Sequence, residues 1–299
     1  MSESLPPFLT PPVTARGHWL AWGLVVTTGL LFWLVTRWIV AETVAREQIK
    51  QGMLLLVAAA ALIIWQHRHD LHISAEIDNR ALGLLAGAFA CIGVAGGCGW
   101  SLLMLPGLTL GMAGSLQILL GASGYRLLKP LVAGVAMLMM IILIFPVFDW
   151  PLRQLAGVEA ARVLGALGLA PQLVVANVAH NPQLMLKVGK QVFLVATECN
   201  GFGIITSGAL LALLAGEISK RSRWLIAVLM LIALFTGFVI NLLRILAITQ
   251  LAPRMPQHYH AMHEIMGTVM LWIGLGLIGW LAWRPEASVL PKTPTTSNF

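Results

Sequence analysis

Apolar runs of roughly 20 residues recur along this chain and are separated by short polar stretches. That length predicts helices that cross a membrane; spanning strands would be about 10 residues long and would alternate. The first run covers residues 18–41, with Trp19, Trp22, Trp33 and Trp38 near its ends. A shorter one follows at 52–66, then 81–97 and 100–121 joined by a Gly-rich turn, then 130–148. The last three are 192–214, 224–252 and 265–283. The pattern predicts an all-α polytopic integral membrane protein with about eight transmembrane helices.

The polar stretches set the expected segments. Residues 1–17, with Pro6, Pro7, Pro11 and Pro12, read as a disordered tail and not as a cleavable signal peptide. Residues 18–148 form a bundle of about five spans. Residues 149–190 are the one long connection, with Pro151, Pro171, Pro182 and a helical-looking piece over 154–169. It is expected on the extracytoplasmic side as an interfacial or re-entrant region. Residues 191–284 hold the last three spans, and 285–299 form a polar tail.

Composition agrees. Of 299 residues 58% are hydrophobic and 10% charged, with mean hydropathy +0.85, whereas a soluble domain carries about 25% charged residues. The net charge of +7 resides in loops between spans, which fits membrane topology and gives no reason to expect nucleic acid. Lys220, Arg221 and Arg223 share one short loop, the strongest signal for the cytoplasmic side. Counting outward from it puts both termini in the cytoplasm of a multi-pass protein of the plasma (inner) membrane.

Against this apolar background a few polar residues stand out. Glu198-Cys199-Asn200-Gly201 lies on one expected span, Asn241-x-x-Arg244 near the end of the next, and His263-x-x-x-Gly267 opens the last. Ionisable groups within spans are costly and mark functional sites by default. Cys199 lies 21 residues before Lys220, Arg244 lies 21 after Arg223, and His263 lies 21 before Arg284. At about 1.5 Å per residue each is about 30 Å from its cytoplasmic anchor, so all three share one depth near the outer face.

The residue types point to acyl transfer. A thiol attacks as thiolate, and a neighbouring cation or helix N-terminus favours that form. Arg244 supplies a cation for the thiolate or for the oxyanion of a tetrahedral intermediate. His263 supplies a group able to protonate a leaving amine or activate the thiol. Asn241 shares a helix face with Arg244 and is placed to orient it. Gly201 allows close approach of backbone and substrate. Cys91 and Cys98 read as small buried hydrophobes, and no pair of cysteines forms a disulfide framework. The histidines at 67, 69 and 72 and at 258 and 260 read as solvated loop residues.

The three motifs together resemble the exosortase/archaeosortase family, multi-spanning transpeptidase-like enzymes of prokaryotic membranes. The resemblance rests on the last three spans. It implies Cys199 as nucleophile, with Arg244 and His263 completing the catalytic site. Glu198, Asn200, Gly201, Asn241 and Gly267 are the expected supporting residues, and of these Asn200 and Glu198 depart from the family, which often has Ser after the Cys and a small residue before it. The resemblance implies as substrates exported proteins that end in a short motif such as Pro-Glu-Pro, a transmembrane helix and a basic tail. Cleavage would occur at the outer face through an acyl-enzyme, resolved by water or by an unspecified amine acceptor. Many members accompany exopolysaccharide export. Membrane lipid is the other expected partner, and the chemistry calls for no metal or organic cofactor. A second reading is a transporter or exopolysaccharide-assembly membrane protein. In it Arg244 and His263 bind an anionic substrate or relay protons, and Cys199 is incidental.

Overall fold

The computed structural model describes residues 15–75, 77–178, 181–195, 200–254 and 256–283. The chain is an all-α polytopic membrane protein, carrying in addition one small antiparallel sheet. Its residues divide into two compact units. One comprises the chain to Arg46 with Met53–Ile142; the other comprises Glu47–Gly52 and the chain from Leu143.

In the first unit, helices α1 (Ala15–Leu31) and α2 (Trp33–Ala45) meet at a 52° bend, so the expected run 18–41 is broken at Phe32. The ring of Phe32 is buried against two glycines. A Cβ at Gly107 or Gly111 would lie 3.2 Å or 3.1 Å from it. Helix α3 (Glu47–Gln66) begins five residues before the expected 52. Helix α4 (Asn79–Cys98) ends at Gly99, whose φ of +71° suits the left-handed C-terminal cap. Helix α5 (Met104–Ala166) is kinked at Gly121, φ +66°. Near the kink the Leu119 carbonyl accepts a hydrogen bond from the Ser74 amide at 2.9 Å. The expected runs 100–121 and 130–148 are the two sides of this break.

Helix α5 does not end at 148, where the long connection was expected to begin. It continues to Ala166 through Pro146 and Pro151. Proline removes one backbone hydrogen bond and crowds a carbonyl, which bends a helix without necessarily ending it.

In the second unit the rest of the connection is a meander of β1 (Pro171–Val178), β2 (Asn181–Val188) and β3 (Gln191–Leu194). Leu173 pairs with Leu186 and Leu186 with Phe193. The buried Leu184 and Leu186 pack on Ala156, Ala160 and Leu164 of α5 and on Ile245. Small residues on α5 let the sheet sit close: a Cβ on Gly157 would come within 3.0 Å of Leu184. The expected sixth span, 192–214, is corrected here. Its first residues belong to β3, and helix α6 runs only over Phe202–Ile218.

Helices α6, α7 (Arg223–Leu251) and α8 (Tyr259–Trp283) pack on one another. Glycines bring them together, as in other membrane bundles. A Cβ on Gly237 would meet the Ile205 backbone at 2.9 Å, and one on Gly208 would meet Ile278 at 2.6 Å. Helix α6 is buried on almost every side. At 17 residues it is about 25 Å long, shorter than a hydrocarbon core. Non-helical backbone at membrane depth is tolerated only where protein or a wet cavity surrounds it. The start of α6 meets that condition, because Asn200, Gly201 and Phe202 are all buried.

Among the described residues five helices are long and apolar enough to cross a membrane, or six if α1 and α2 count as one bent span. Their exposed faces carry Trp19, Trp65, Trp224 and Trp272, as lipid contact requires.

Candidate active site

The start of α6 is shaped by Asn200 and Gly201. The Asn200 side-chain oxygen accepts the Phe202 amide at 2.7 Å, capping an orphan N–H of the helix. Its amide nitrogen donates to Asp149 Oδ1 at 2.6 Å. Arg153, one turn along α5, donates from Nε to the same oxygen at 3.1 Å and from a second nitrogen to Oδ2. Asn200 is 1% exposed, so this is a buried peg joining the head of α6 to α5. Gly201 adopts φ +77°, and a Cβ there would lie 2.8 Å from Asn241 Cβ and Cγ. Asn241 is fully buried beneath it.

Arg244 lies one turn beyond Asn241 on α7 and is 7% exposed. Its Nη2 is 3.4 Å from His263 Nε2 on α8. A guanidinium only donates, so a hydrogen bond here requires the facing imidazole nitrogen as acceptor. Gly267, four residues after His263 and on the same helix face, makes room for the arginine. A Cβ at Gly267 would lie 2.9 Å from Nη2 and 3.1 Å from Cζ. The His-x-x-x-Gly spacing thus presents an imidazole to the guanidinium and clears a seat for it.

These groups border a cavity of about 350 Å³. Gly201, Gly203, Arg244, His263 and Glu264 form one wall, and Glu47, Gln48 and Gln51 of α3 form another. Gln51 Oε1 is buried with no hydrogen-bond partner among the described residues. It rests where a Cβ on Gly203 would come within 2.8 Å. The helix start leaves the amides of Gly203 and Ile204, both lining the cavity, without an intrahelical carbonyl. The positive end of α6 therefore faces this space.

Of the residues expected from sequence, Asn200, Gly201, Asn241, Arg244, His263 and Gly267 are brought together. Cys199 and Glu198 lie outside the described residues; Cys199 immediately precedes Asn200 in the chain. Asp149, Arg153, Gln48 and Gln51 were not expected. Sequence does carry a local trace of each pair: Asp149 and Arg153 are four apart, Gln48 and Gln51 three apart, each on one helix face. Among the described residues no three His, Cys, Asp or Glu side chains are grouped as a metal site requires.

The family model described as Transmembrane exosortase (Exosortase_EpsH) matches residues 44–280. That range includes every residue placed at the cavity. No curated protein and no solved structure matches the chain.

Proposed function

The chain belongs to the transmembrane exosortase family, and from that premise we propose that it is a membrane-embedded cysteine protease/transpeptidase acting on C-terminal sorting signals of exported proteins. The observation that carries this reading is the Arg244–His263 contact, seated on Gly267 and bordering a cavity lined by Gly201, two residues after Cys199.

The thiolate of Cys199 attacks the scissile carbonyl, forming a carbon–sulfur bond and a tetrahedral oxyanion. Arg244 and the amide-rich start of α6 stabilise the thiolate and then the oxyanion. Collapse breaks the carbon–nitrogen bond, and His263 protonates the departing amine of the C-terminal fragment. The thioester left on Cys199 is resolved by an incoming amine or by water, with His263 accepting the proton. Gln48 and Gln51 line the wall along which the substrate backbone lies, Gln51 offering its oxygen to a peptide N–H.

The site faces the extracytoplasmic side of the plasma membrane, with both termini in the cytoplasm. The substrate is an exported protein ending in a short motif, a transmembrane helix and a basic tail. Co-expression with such a protein tests the reading. Cys199→Ala and Cys199→Ser should abolish tail removal while leaving the amount of membrane-inserted protein unchanged. Processing that continues in both variants would remove the enzyme reading. A transporter would instead tolerate Cys199→Ser and fail on loss of Arg244.

A further inference from the structure

A second cavity, of about 440 Å³, lies wholly within the first unit. Arg80 and Arg126 both line it, together with Tyr125, Gln117 and the apolar Leu84 and Ala122. Among the described residues neither arginine makes an ion pair or hydrogen bond with another. Asp78, two residues before Arg80, has its Oδ2 taken by Gln117 Nε2 at 3.0 Å, and among the described residues no carboxylate lines the cavity.

Asp78, the N-cap of α4 and two residues before Arg80, already answers the positive end of that helix. Arg80 and Arg126 are both exposed and set two like charges on one cavity. An anion in the cavity offsets that repulsion. Paired guanidinium groups favour a phosphate geometrically, because each forks two N–H groups toward its oxygens. Tyr125 adds a hydroxyl donor, and Leu84 and Ala122 offer apolar surface beside the polar head.

We propose that Arg80 and Arg126 form a phosphate-binding site for an anionic phospholipid head group, independent of the cavity at Arg244. Basic pockets between membrane helices take such head groups. A phosphorylated soluble molecule presents the same chemistry, and the test separates the two sources.

The full chain, purified in detergent, is titrated with phosphatidylglycerol, with phosphatidylcholine and with inorganic phosphate, reading bound lipid by native mass spectrometry and Tm by heating. Arg80→Gln, Arg126→Gln and the double variant are compared with Arg223→Gln, an exposed arginine at the start of α7. The proposal expects wild type and Arg223→Gln to retain phosphatidylglycerol over phosphatidylcholine. The double variant should lose roughly thirtyfold in affinity. Stabilisation by phosphate alone, lost in the double variant, would support a soluble phosphorylated ligand at the same site. Equal lipid retention and equal phosphate response in wild type and double variant would overturn the proposal.

Discussion

Gly267 and Arg244 are matched so closely that one methyl group separates compatibility from collision. A Cβ on Gly267 would lie 2.9 Å from Arg244 Nη2. The guanidinium is hemmed in by burial, so Gly267→Ala should push it away from His263 instead of letting it bend freely aside. The expected result is about a hundredfold fall in kcat/KM for tail removal with normal membrane insertion, the scale on which one transition-state donor acts. Arg244→Lys should fall comparably, since lysine keeps the charge but loses the planar fork. Full activity in Gly267→Ala would show that the seat is not needed.

The Gly201–Asn241 approach yields a stability prediction. Gly201→Ala combines a positive φ with a clash against Asn241, and should destabilise by about 1–3 kcal/mol, read as a lowered Tm. Asn241→Gly in the same chain removes the clash but leaves the φ cost, so the double variant should recover part of the loss. Strict additivity of the two changes would contradict contact between these residues.

The peg at Asn200 predicts an order among substitutions. Asn200→Asp sets a second carboxylate beside Asp149 and should impair the enzyme more than Asn200→Ser, which keeps a capping oxygen without adding charge. Loss of the cap alone costs about 1 kcal/mol. Adding Asp149→Asn to Asn200→Asp should restore function, read as Tm and tail removal. No rescue would separate the peg from the site.

Gln51 predicts a split between binding and chemistry. Gln51→Met keeps shape but removes the buried acceptor, so KM should rise about tenfold with kcat little changed. A fall confined to kcat would mean that this carboxamide acts on the transition state instead.

How much of this could be read from the chain alone depends on the range of each interaction. The polytopic all-α class was legible because apolar length is a local property, although five or six spanning helices stand among the described residues where about eight were expected. Arg244 and His263 stood out as ionisable groups against lipid-facing sequence, and Gly267 by its spacing from His263. The meander was not legible. Val192-Phe193-Leu194-Val195 is a short apolar run beside a longer one, and such a run does not distinguish strand from helix. The break at Phe32 was invisible because it depends on a ring seated on Gly107 and Gly111, about 75 residues away. Asp149 and Asn200 are 51 positions apart, and Gln51 meets Gly203 across a still longer separation. Only tertiary packing gives those pairs meaning.

The central claim is that the sulfur of Cys199 carries the substrate as a thioester. Intact-mass and peptide-level mass spectrometry of wild-type enzyme, quenched in acid while processing a co-expressed or added sorting-signal substrate, reads this directly. The account predicts an adduct on Cys199 equal in mass to the acyl portion upstream of the cut and removed by hydroxylamine. Tail removal proceeding without any adduct on Cys199, or with the acyl group on another residue, would contradict it.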